Sequence, residues 1–119
     1  MEKIIRQALL YDFYGELLND HQKAIYEDFV LNNYSLTEIA EDREISRQGV
    51  YDMIRRCDKL LNGYEEKLHL LDKFQQARDQ VEQIHQFASE IVRSDCTAEE
   101  MTECVHRIEE LSNKILEEM

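Results

Sequence analysis

The stretch Tyr34-Ser-Leu-Thr-Glu-Ile-Ala-Glu-Asp-Arg-Glu-Ile-Ser-Arg-Gln-Gly-Val-Tyr51 decides the fold. Ser35 followed by Glu38 is a capping box, in which each side chain satisfies the other residue's free backbone N–H, so a helix starts at Leu36. That helix runs only to about Arg43. Ser46 then offers a second N-cap, for a helix from Arg47 to about Leu61. Two capped helices separated by three or four residues predict a helix-turn-helix. At about 100° per residue, Val50, Met53, Ile54, Cys57, Leu60 and Leu61 share one arc of the second helix and form its inward side. Arg47, Gln48, Tyr51, Arg55 and Lys59 share the opposite arc. The chain from Ser46 to Leu61 carries four basic and two acidic residues.

Upstream, Lys3 to about Leu18 reads as a helix apolar nearly all round, and Asn19 with Gln22 caps another that ends near Leu31. Downstream, a kink or break is expected at Gly63, then a long helix to about Arg93. Thr97 with Glu100 opens a last helix to the C-terminus. Ala77, Val81, Ile84, Ala88 and Ile91 recur at coiled-coil spacing, as do Met101, Cys104, Ile108, Leu111 and Ile115, so the two helices predict an antiparallel hairpin. In that pairing Ile91 lies near Met101 and Ala77 near Ile115. The expected fold is all-α, with a helix-turn-helix domain over 1–62 and a helical hairpin over 63–119. Leu68, Leu71 and Phe74 need a further surface, which either the first domain or a second copy in a homodimer could supply.

Composition agrees. The 119 residues contain no proline and three glycines, a poor supply of turn residues for sheets. The net charge is −12, and it is uneven: Met1–Leu61 holds 8 basic and 12 acidic residues, Asn62–Met119 holds 6 and 14. An anionic partner must therefore meet a local basic patch, and the Ser46–Leu61 segment is that patch. No apolar run approaches the ~18 residues of a membrane span, so the expected setting is the cytoplasm, with no membrane partner. Three cysteines cannot all pair within one chain; Cys57 and Cys104 fall on inward stripes and read as reduced core thiols, with Cys96 in a turn.

Catalytic and metal readings fail on spacing. Cys96 and Cys104 lie eight residues apart, Cys104 and His106 project about 200° apart on a helix, and Cys57 belongs to a different core, so no four-ligand zinc site assembles. The histidines His21, His69, His85 and His106 are scattered, and Gly15, Gly49 and Gly63 are too far apart to cradle a phosphate. The sequence predicts no enzyme, metal or cofactor.

The recognition arc has the chemistry of a major-groove reader. Arginine can fork onto guanine O6 and N7, glutamine can pair both ways with adenine, and the first turns of such a helix approach base edges closest. Arg47, Gln48 and Tyr51 are the candidate base readers; Ser46, Arg55, Arg56 and Lys59 are the candidate phosphate contacts.

The run from Tyr34 to Tyr51 resembles the region 4 helix-turn-helix of bacterial sigma factors. Together with Tyr11-Asp-Phe-Tyr14, Ile54-Arg-Arg56 and Tyr64-Glu65, it resembles the YlxM family of small bacterial helix-turn-helix proteins associated with the signal recognition particle. The resemblance implies an all-helical, DNA-binding protein acting in regulation, with a part in the signal recognition particle pathway. It also implies an alternative, an accessory factor binding that particle's RNA or GTPase without reading duplex sequence. At the base-contacting positions of sigma region 4, only Arg47 keeps the typical residue; Gln48 replaces an acid and Tyr51 an arginine.

Overall fold

The computed structural model describes residues 2–93 and 95–119. Among them are six α-helices and no strands: α1 Lys3–Tyr14, α2 Asp20–Val30, α3 Leu36–Arg43, α4 Arg47–Leu68, α5 Leu70–Val92 and α6 Ala98–Glu118, with a 3-10 turn over Gly15–Leu17. The chain divides into two units, Met1–Leu71 and Asp72–Met119.

The caps do what the sequence asks. Asn19 Oδ1 accepts from Gln22 N at 2.8 Å and Gln22 Oε1 from Asn19 N at 3.0 Å; Ser35 and Glu38 make the same exchange at 3.1 and 3.2 Å. At the start of α6 one half of the box is made, Thr97 Oγ1 accepting from Glu100 N at 3.2 Å.

Helix α4 is where expectation and structure part. It runs without interruption past Gly63 and past the 62/63 boundary expected from sequence, ending at Leu68. The break comes at His69, whose left-handed φ of 56° lets its N–H close back on Glu65 O at 2.8 Å. A side chain at position 63 would meet nothing within 4 Å, so nothing in the fold requires glycine there, and the helix absorbs it. The extra two turns carry Glu65, whose Oε1 accepts from Tyr14 Oη at 2.6 Å and from Leu71 N at 2.9 Å. Tyr14 Oη in turn accepts from Leu70 N at 3.1 Å. The residues around the break are thereby tied into the first unit.

Two clusters fill that unit. Leu10, Tyr11, Tyr14, Leu18, Tyr26, Cys57, Leu61 and Leu71 form one; Ile25, Ile39, Ala40, Val50 and Ile54 form the other, under the helix-turn-helix. Tyrosine hydroxyls run through the first, each donating to a carboxylate on another helix: Tyr11 to Glu27 at 2.6 Å, Tyr14 to Glu65, and Tyr26 to Asp58. A buried hydroxyl left unpaired would be costly, and here each one joins two helices. Burial, reinforced by the neighbouring carboxylates, holds these phenols above their ordinary pKa. The fully buried Cys57 thiol is pushed up to about 11 by burial and then by Asp58, which leaves it protonated and inert at neutral pH.

In the second unit α5 and α6 meet as an antiparallel hairpin. Cys104 Sγ lies 3.7 Å from Glu90 Oε2, and the Arg107 guanidinium stands 5.7 Å from the Phe87 ring centre. These pairs set a register about two residues off the expected one. The seam also differs: Val81 and Met101 are exposed, and Gln80 is buried where Val81 was expected. Ile84, Ile91, Ile108, Leu111 and Ile115 are half-buried. Adjacent positions differ by about 100°, so moving the stripe by one residue exchanges Val81 for Gln80.

Candidate nucleic-acid interface

Position and rotation of α4 are fixed from beneath and from its start. Ile39, Val50 and Ile25 are fully buried, and Ile45 packs against them. Between α3 and α4, Glu44 adopts a left-handed φ of 56°, and the Ile45 N–H closes on Ala40 O at 3.1 Å. Ser46 Oγ accepts from Gly49 N at 2.9 Å. A Cβ at position 49 would come within 3.0 Å of that oxygen, so glycine leaves the cap undisturbed. Arg43 donates to Asp28 Oδ2 at 2.9 Å, clamping α3 onto α2.

On this frame Ser46, Arg47, Gln48, Tyr51, Arg55, Arg56 and Lys59 are all exposed. None of the four cations enters an ion pair with a described residue. The Arg55 guanidinium lies 5.7 Å from the Tyr51 ring centre, a cation–π distance that couples the two side chains. Gln48 is less free: its Nε2 donates to Asp52 Oδ1 at 3.0 Å. To pair with a base, as expected of it from the sequence, the carboxamide would have to give up that bond, and Asp52 sets a negative charge among the candidate base readers.

The cations do not all share one face. Arg47, Tyr51 and Arg55 fall within roughly 80° of one another, whereas Arg56 lies about 180° from Arg47 and Lys59 about 120°. Arg56 and Lys59 instead line an open groove of about 430 Å³ with Leu60, Gly63, Tyr64 and Lys67. On the side of Tyr51 and Arg55, a cleft of about 440 Å³ brings Lys3 of α1 beside them. Lys3 and Lys67 were not among the sequence candidates; Lys3 is 48 positions from Tyr51, and no local pattern joins them. No group of three or more metal-ligating residues assembles among the described residues, and no helix among them is long and apolar enough to cross a membrane.

Residues 1–105 match the family model described as "Putative helix-turn-helix protein, YlxM / p13 like". A UPF0122 protein of Caldanaerobacter subterraneus subsp. tengcongensis is 53% identical over 77 residues, 65% of this chain and 66% of the relative. One from Thermoanaerobacter pseudethanolicus is 44% identical over 110 residues, covering 92% and 91%. The UPF0122 protein YlxM of Bacillus subtilis is 40% identical over 111 residues, covering 93% of this chain and 97% of the relative. With a capped helix-turn-helix at its centre and these likenesses along nearly its whole length, the chain belongs to the UPF0122 family of YlxM-like helix-turn-helix proteins.

Proposed function

We propose that this protein binds double-stranded DNA in the cytoplasm through the exposed arc of α4 and acts as a regulator. Arg47, Gln48 and Tyr51 read base edges. Ser46 and Arg55 hold phosphates beside them, with Arg56 and Lys59 reaching the backbone from the flank. The observation that carries this reading is the set of cations without ion pairs on a rigidly capped α4, in a chain of net charge −12. A local cationic cluster in an otherwise acidic chain is where a polyanion would meet the least repulsion. The reading is tested by fluorescence anisotropy on a panel of duplexes at two salt concentrations. The parent should prefer some duplexes, with a log–log salt slope near −0.9 per phosphate neutralised. Arg47→Ala/Gln48→Ala/Tyr51→Ala should lose the preference; a triple variant that discriminates as the parent does would overturn the assignment.

A second reading draws on Asp52. Its carboxylate holds the Gln48 carboxamide that would read adenine, which favours an accessory role in the signal recognition particle pathway, through that particle's RNA or GTPase, over sequence-specific DNA recognition. That reading expects binding to the particle or its RNA and indifference among duplexes.

A further inference from the structure

The second unit has one side that its own two helices leave uncovered. Phe87 and Arg107 meet on one side of the α5–α6 seam. Counting about 100° per residue, Val81, Ala88 and Val92 fall on the other side of the seam on α5, and Met101, Val105 and Leu116 on the corresponding side of α6. Both rows therefore lie on one side of the hairpin. Apart from half-buried Ala88, all are exposed, Val92 at 80% and Leu116 at 66%. Apolar side chains scattered singly over a surface need no explanation, but two parallel rows on one side do.

We infer that this side is where a second copy of the chain docks, closing two hairpins into a four-helix bundle. Area supports that occupant. The five exposed residues present on the order of 500 Å² of apolar surface, close to the apolar share of the ~800 Å² that each partner buries in an ordinary stable interface. Side-chain complementarity supports it too, because the two edges of this side are unlike, one offering an imidazole donor and the other a carboxylate acceptor. The α5 edge carries His85 and Arg78, the latter paired with Glu82 at 3.3 Å, and the α6 edge carries Glu109. The register set by Glu90 with Cys104 and Phe87 with Arg107 brings His85 level with Glu109. A two-fold axis running along the hairpin lays α5 of one copy against α6 of the other, so His85 meets the second copy's Glu109, twice per dimer. The opposite arrangement, α5 on α5, separates His85 from Glu109 and offers neither pair. The hairpin holds five basic and twelve acidic residues, so association is opposed by net charge and depends on this local match.

Sedimentation equilibrium on the full chain tests this. The wild type should dimerise at concentrations of about 10 μM, and Val81→Glu/Val105→Glu should raise the dissociation constant at least about 100-fold with helical circular dichroism unchanged, since both residues are exposed. Gln83→Glu, on the other side of α5, should leave it unchanged. A charge exchange provides an independent readout: His85→Glu alone should weaken the dimer, and His85→Glu/Glu109→Lys should recover most of the loss. A chain that stays monomeric at about 100 μM overturns the proposal, as would a hairpin side covered by the chain itself. A dimer indifferent to both sets of substitutions overturns it equally, by locating the interface elsewhere. Duplex binding by the monomer would be a separate result, so failure here leaves the α4 reading standing.

Discussion

The two units solve the problem of joining helices in different ways. In the first, α1 and α2 are fastened to α4 by fully buried apolar side chains together with hydroxyl–carboxylate bonds between distant residues. In the second, the hairpin relies on a narrow half-buried seam in which Cys104 and Gln80 are the buried residues, and Gln80 Oε1 has no hydrogen-bond partner among the described residues. Two helices can bury only the stripes that face each other, whereas three or more surround a core. The contrast predicts that amides of the first unit resist hydrogen exchange better than those of the hairpin in the monomeric chain.

Leu61→Ala should break that contrast most severely. Leu61 is fully buried among Tyr14, Tyr26, Cys57 and Leu71, and its truncation should cost about 2 to 5 kcal/mol, read as a lower denaturant midpoint and lost protection in α1, α2 and α4. Unchanged exchange in the first unit would contradict the packing described. Gln80→Leu should narrow the contrast from the other side. Replacing an amide whose oxygen is unsatisfied by an apolar group of similar length should stabilise the hairpin by about 1 kcal/mol, measured as slower exchange in α5 and α6. Gly63→Ala should have the smallest effect, a gain of roughly 0.5 to 1 kcal/mol from helix propensity, because the new methyl meets no neighbour. A loss at that position would mean that α4 is bent or covered there.

Local grammar made much of this legible in advance. The starts of α2, α3 and α4 follow from Asn19, Ser35 and Ser46, the first two with Gln22 and Glu38 three positions later, because a cap is an interaction within one turn. The exposed arc of α4 followed from its period. What was hidden depends on residues far apart in the chain. Gly63 looked like a break since glycine disfavours helix, but Glu65, bonded to Tyr14 51 positions earlier, carries α4 beyond it. The stop at His69 has no glycine to announce it. Gln80 was passed over because seam positions are sought among apolar residues, and the neighbouring Val81 kept the spacing. The separation of Arg56 and Lys59 from Arg47 was readable from helical phase alone; that a groove with Lys67 lay beneath them needed α2, which supplies Gln22 to its lining.

Asp58 gives α4 a property that its exposed residues do not reveal. Its carboxylate receives the Gln7 amide of α1, at 3.0 and 3.1 Å, and the Tyr26 hydroxyl of α2. Like a key in a shaft, it prevents α4 from rolling about its long axis, so the azimuth at which Arg47 and Tyr51 point outward is dictated by the two N-terminal helices. A substitution at Gln7 or Tyr26 would therefore loosen that azimuth without altering any exposed residue of α4.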